Sequence, residues 1–187
     1  MCIRDRTTGA VMMPIYTSST YEQESPGVHK GFDYSRSINP TRKAFEDCIA
    51  SLENGEVGFG FSSGVAAISA CVELLSPGDH VIAMNDLYGG TVRLFNEIKT
   101  LSQGIEVTYV DMTDMQNVLE AKTDKTKMIF VETPTNPLLR VVDLSALADF
   151  AKAENILSVC DNTFASPYVQ QPLNHGIDIV LHSATKY

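Results

Sequence analysis

The segment order of this chain predicts an α/β fold, a doubly wound, mostly parallel sheet with helices on both faces. Two observations carry that expectation. Short apolar runs of strand length alternate with helix-length amphipathic segments. The 187 residues, 44% of them hydrophobic, are also enough to close a substantial core within one folded unit.

Residues 1–39 read differently from the rest. Pro14, Pro26 and scattered glycines, serines and threonines predict an extended arm able to reach a neighbouring subunit. The opening Met1-Cys2-Ile3-Arg4-Asp5-Arg6 fits no helical or strand period and is set aside as a start-site artefact. Packed α/β structure is expected over residues 40–187. A helix starts at Asn39-Pro40-Thr41, with proline near its first turn, and stops at Asn54-Gly55, where glycine supplies the exit. A second runs from about Ser63 to Leu75 and stops at Pro77-Gly78. Asp143 is placed to cap a helix from Leu144 to Ala153, with Leu144, Leu147, Ala148 and Ala151 as its apolar stripe. Strands are expected over residues 57–61, 80–84, 106–110, 128–131, 157–160 and 177–181.

Charge and composition narrow the function. The net charge of -9 is spread without blocks, which speaks against a nucleic-acid footprint and requires anionic ligands to be captured locally. Cys2, Cys48, Cys71 and Cys160 form no C-x-x-C pair, and Cys48 and Cys71 fall in helical patterns as core-facing residues. With no signal peptide and no long apolar span, the expectation is a cytoplasmic chain that does not enter a membrane. His29, His80, His175 and His182 have no metal-ligand spacing, so no metal is expected.

In an open α/β sheet, ligands bind at the carboxyl ends of the strands. Ser62-Ser63-Gly64-Val65 puts small side chains and backbone N–H groups at a helix start, which suits phosphate, although an ordinary tight turn has the same sequence. Gly58, Gly60 and Gly64 give G-x-G-x-x-x-G, one residue out of step with the dinucleotide fingerprint, which counts against a nicotinamide cofactor. Tyr88 beside Gly89 and Gly90 could stack on a flat ring or simply pack on the sheet. Arg93 could grip a carboxylate or be a surface charge. Asp161 ends an apolar strand, where a carboxylate needs a hydrogen bond or a cation; a protonated pyridine nitrogen would serve, and a turn aspartate is the plainer alternative. Lys186, in Ser183-Ala184-Thr185-Lys186-Tyr187, could hold a carbonyl cofactor as an imine or be a solvated charge.

All of these groups fall at strand ends of one expected sheet. The chain resembles the fold-type-I pyridoxal phosphate enzymes, specifically the cystathionine γ-synthase, γ-lyase and β-lyase group of trans-sulfuration. The runs that carry the resemblance are Tyr34-Ser35-Arg36, Asn39-Pro40-Thr41-Arg42, Ser63-Gly64, Tyr88-Gly89-Gly90-Thr91, Glu132-Thr133-Pro134-Thr135-Asn136-Pro137, Asp161-Asn162-Thr163-Phe164 and the terminal Ser183–Tyr187 run. It covers almost everything after the first six residues.

The resemblance implies pyridoxal 5'-phosphate as cofactor, bound covalently by Lys186, with Asp161 against the pyridine nitrogen and Tyr88 stacked on the ring. It gives Ser63, Gly64, the Val65 backbone, Ser183 and Thr185 to the phosphate, Thr163 to the ring, and Asn136 and Arg93 to the phenolic oxygen or substrate. Tyr34 and Arg36 would reach the phosphate of an adjacent subunit, which implies a homo-oligomer, a dimer of dimers. Ile38 and Val65 depart from commoner residues of the family without removing a chemical group. Family members continue beyond the lysine into a smaller C-terminal domain, so the expectation is a truncated large domain whose parent acts on cystathionine or an O-acylhomoserine by γ-replacement or γ-elimination. Methionine γ-lyase, O-acetylhomoserine sulfhydrylase, cystathionine β-lyase and a non-catalytic remnant remain as alternatives.

Overall fold

The computed structural model describes residue 5 and residues 8–186, which form two units divided between Gly60 and Phe61. The rest of the opening run and Tyr187 of the terminal motif lie outside the described residues.

In the first unit the arm carries a short antiparallel hairpin, β1 (Gln23–Ser25) and β2 (Val28–His29), and a bridge between Thr20 and Tyr34. The helix α1 (Pro40–Glu53) starts as its sequence dictates. Asn39 Oδ1 accepts from the backbone N–H of Thr41 at 2.8 Å and Arg42 at 3.3 Å, while Pro40 has no N–H to leave unpaired. Asn39 Nδ2 donates to Tyr16 O and Ser35 Oγ, so one side chain caps the helix and ties down the arm. The exit is one residue earlier than expected. Asn54, not Gly55, takes the left-handed turn (φ 57), a conformation that asparagine tolerates better than most side chains.

Residues 57–61 do not form the expected strand. Their glycines serve a helix contact: a Cβ on Gly58 would fall 2.3 Å from the Glu46 carbonyl oxygen, and the Gly60 N–H donates to Glu46 Oε1 at 2.8 Å. The intervening Val57 and Phe59 are 65% and 69% exposed. The segment has the alternation of a strand without a ladder partner or a buried face.

The second unit contains a five-stranded sheet in the order β4-β3-β5-β6-β7, with every neighbouring pair parallel. The strands are β3 (His80–Met84), β4 (Glu106–Val110), β5 (Thr126–Glu132), β6 (Leu157–Asp161) and β7 (Ile179–Leu181). β3 is buried along its whole length, as a central parallel strand covered on both faces must be. Expected strands 80–84 and 106–110 are met as read, and β5 and β6 extend slightly beyond their apolar runs to end in Glu132 and Asp161. β7 is shorter than expected because Asp178 turns its carboxylate onto Ser158, accepting from its N–H and hydroxyl at 2.8 and 2.7 Å.

Helix α2 (Gly64–Val72) is capped by Ser63, whose Oγ accepts from Ala66 N at 3.1 Å. α3 (Gly89–Arg93) continues through a π-helical turn at Leu94–Lys99 into α4 (Thr100–Gln103). α5 (Met115–Ala121) and α6 (Leu144–Ala153) are capped by Asp114 and Asp143; α6 buries Leu144, Leu147, Ala148 and Ala151, the stripe expected. A short helix, α7 (Ser166–Val169), follows β6. Phe95 and Phe130 meet edge to face at 5.4 Å in the core. Cys71 packs against that core, while Cys48 is half-buried on α1. Among the described residues, no helix is long and apolar enough to cross a membrane, and no cluster of His, Cys, Asp or Glu could hold a metal ion.

Candidate active site

Parallel strands bring their carboxyl ends to one edge, and acids end two adjacent strands there. Glu132 and Asp161 are register partners on β5 and β6, and Leu181 of β7 pairs with Asp161 on its other side. In-register residues of a parallel pair share a face of the sheet.

Asp161 is 6% exposed. Burial pushes its carboxyl up from the ordinary range, while bonds from Thr163 and the nearby charge of His182 pull it back. Its Oδ1 accepts from Thr163 N at 3.0 Å and Thr163 Oγ1 at 2.6 Å. That hydroxyl oxygen in turn accepts the Ser183 N–H at 2.8 Å. Ser183 is held close to the start of α2, where a Cβ on Gly64 would lie 2.8 Å from the Ser183 Cβ. Asp161, Thr163, Ser183 and Gly64 therefore form one continuous run, from a buried acid to a helix N-terminus. Ser63 caps that helix and Val65 packs on the core behind it.

Tyr88 is 45% exposed, and its ring lies over Gly90, where a Cβ would meet Cε1 at 2.4 Å. Its backbone N–H donates to Glu132 Oε2 at 2.8 Å. Glu132 is 3% exposed, and its pKa is raised to about 7: burial is the largest cause, the Tyr88 bond opposes it, and the charges of Asp161 and Asp86 add to it. Asp86 fastens the loop after β5, accepting from Thr135 Oγ1 and from Leu138 N at 3.1 Å. Asn136 sits half-buried in that loop, whose Thr133–Pro134 and Asn136–Pro137 bonds are both cis.

Arg93 is exposed at the end of α3, close enough to Gly89 that a Cβ there would lie 3.6 Å from its Nη1. Thr185 and Lys186 are exposed on a 3-10 turn, Ala184–Lys186, where the Lys186 N–H donates to Ser183 O at 3.1 Å. Tyr34 and Arg36 belong to the first unit, with the guanidinium 5.2 Å from the ring centroid of Tyr34. Sequence reasoning missed Glu132 and Asp86. The signal for Glu132 was present, since it ends an apolar strand just as Asp161 does.

The pattern described as Cys/Met metabolism PLP-dependent enzyme matches residues 3–187. The chain belongs to this family. It is 58% identical to the cystathionine beta-lyase of Coxiella burnetii over 98% of this chain and 47% of that protein. It is 52% identical to the cystathionine gamma-lyase of Bacillus subtilis over 98% of this chain and 48% of that one. The crystal structure of cystathionine gamma-lyase from Lactobacillus plantarum complexed with L-serine superposes with a TM-score of 0.93 at 52% identity, covering 97% of this chain and 47% of that one. The chain thus spans about half the length of these relatives.

Pyridoxal phosphate, the cofactor of the family, combines a ring nitrogen that can carry a proton, an anionic phosphate and an aldehyde. The groups assembled here suit all three. A carboxylate disfavoured by burial gains from a cation, N–H groups at the start of a nine-residue helix favour an anion, and a primary amine is the natural partner of an aldehyde.

Proposed function

We propose that the chain is the cofactor-binding part of a carbon–sulfur lyase that acts on cystathionine. The run from Asp161 through Thr163 and Ser183 to Gly64 carries this reading, because it joins a group for a ring cation to a group for a phosphate. In this reading residues 40–187 are the cofactor-binding domain. Residues 1–39 are an arm whose Tyr34 and Arg36 serve the phosphate of a neighbouring subunit in a cytoplasmic dimer of dimers.

When bound, pyridoxal phosphate supplies an electron sink for the substrate's α carbon. Lys186 would hold the cofactor's aldehyde through Nζ, and the same amine would serve as the base that takes the substrate's α proton. Asp161 keeps a proton on the ring nitrogen, and Thr163 fixes the orientation of that carboxylate. Ser63, Gly64, the Val65 N–H, Ser183 and Thr185 hold the phosphate. Tyr88 covers the ring, and Arg93 and Asn136 orient the substrate.

Supporting a lyase are the likenesses to a beta-lyase and a gamma-lyase. The two reactions are told apart by product, since cleavage at the β carbon gives homocysteine, pyruvate and ammonia, whereas cleavage at the γ carbon gives cysteine, 2-oxobutyrate and ammonia. A synthase would instead join O-acylhomoserine to cysteine.

The test is borohydride reduction of the purified protein with pyridoxal phosphate, followed by peptide mapping. A dominant adduct on Lys186, lost in Lys186→Ala, is expected; an absent or scattered adduct overturns the reading. Oxoacid analysis with cystathionine then assigns the cleaved bond.

A further inference from the structure

Resting on the reading above, in which Tyr88 covers the cofactor ring, we propose that Glu132 is a positioning residue of the cofactor pocket. Its carboxyl accepts the Tyr88 N–H and thereby holds the tyrosine ring at the height of the ring that meets Asp161.

The geometry is specific. Glu132 stands directly beside Asp161 in the parallel register, so the carboxyl that fixes Tyr88 and the carboxyl assigned to the ring nitrogen project from neighbouring strands onto one face. Tyr88 has no side-chain cap of its own at the start of α3. Its carbonyl accepts from Thr91 N, and its N–H is taken by Glu132 alone among the described bonds. Gly90 leaves room for the ring on the other side, so a contact from one strand and a missing side chain together fix where the ring sits. A buried acid is costly unless its bonds are satisfied, and a loop N–H is a weak reason to keep one. Placement of an aromatic face above a bound ring is a stronger reason, since stacking is sensitive to ring offset. In this role Glu132 acts through Tyr88, whose N–H it accepts.

Two variants of the full-length protein separate this role from mere packing. Glu132→Met keeps the side-chain length and removes the acceptor, whereas Glu132→Gln keeps an accepting oxygen. With pyridoxal phosphate loaded, visible circular dichroism of the bound cofactor is expected to fall by half or more in Glu132→Met, with affinity for the cofactor about tenfold weaker, and to stay near wild type in Glu132→Gln. In the cofactor-stripped protein, Tyr88 amide exchange is expected to accelerate about tenfold in the methionine variant only. Unaltered dichroism in a folded Glu132→Met protein overturns the inference. So does equal loss in Glu132→Gln, a result that still decides the matter if the methionine variant does not fold. A wild type that forms no adduct on Lys186 sinks the functional reading, and this inference with it. A wild type that forms the adduct beside an unaffected methionine variant sinks the inference alone.

Discussion

Thr163 donates its hydroxyl to Asp161 at 2.6 Å while accepting the Ser183 N–H on the same oxygen at 2.8 Å. One side chain thus orients the buried acid and positions the segment that leads to Lys186. Thr163→Val keeps the shape and deletes both bonds. It is expected to cost about 1–3 kcal/mol in urea unfolding and to weaken cofactor binding. Thr163→Ser should restore most of both, and a valine variant with wild-type affinity would contradict the role.

Gly64→Ala places a methyl group 2.8 Å from the Ser183 Cβ. The backbone of Ser183 is also close, at 3.2 Å to its Cα, so the clash cannot be relieved by a side-chain rotation alone. The expected result is a loss of roughly 1–3 kcal/mol and at least a tenfold drop in affinity for pyridoxal phosphate, read by thermal melting and absorbance titration.

The acid pair at the strand ends makes a signed prediction about pH. Burial raises Glu132 from 4.5 to about 7, so the folded chain holds this proton more tightly than the unfolded one. Its contribution to stability is complete below the unfolded value and is lost as pH rises through the folded one, a change of about 3 kcal/mol for a shift of this size. Asp161 is raised by burial as well and tilts stability in the same direction. Cofactor-free Glu132→Gln should therefore show a flatter stability profile from pH 4.5 to 7 than wild type, measured by urea midpoints.

In the first unit, Asn39→Ala removes the acceptor of two helix N–H groups and the donor to Tyr16 and Ser35. A loss of about 1–2 kcal/mol is expected from the cap, together with faster proteolysis of the arm. Limited digestion with peptide mapping would check both.

Much of this was legible in the sequence, for physical reasons that differ by element. β5 and β6 announced themselves because strands covered on both faces must be apolar throughout, and the acids that end them stand out against that background. α6 was readable because its cap and stripe are local signals, carried by Asp143 and the four apolar positions it precedes. Residues 57–60 misled because their glycines answer to Glu46 of α1, a contact the linear order hides. Asp161 stood out as a strand-end acid, but a turn aspartate was the plainer reading of the residue alone, and its role came from the resemblance. Glu132 could not be given a role, because its meaning lies in a bond to Tyr88 on another segment.

The close approach of Gly64 to Ser183 also sets an order of events at birth. The start of α2 leaves the ribosome before any strand of the five-stranded sheet, but its partner Ser183 emerges only after β7. Since domains generally complete folding as units, the pocket cannot take shape on a nascent fragment that ends before Ser183. On the proposed reading, the phosphate-binding end of the pocket is therefore completed only once the sheet has closed.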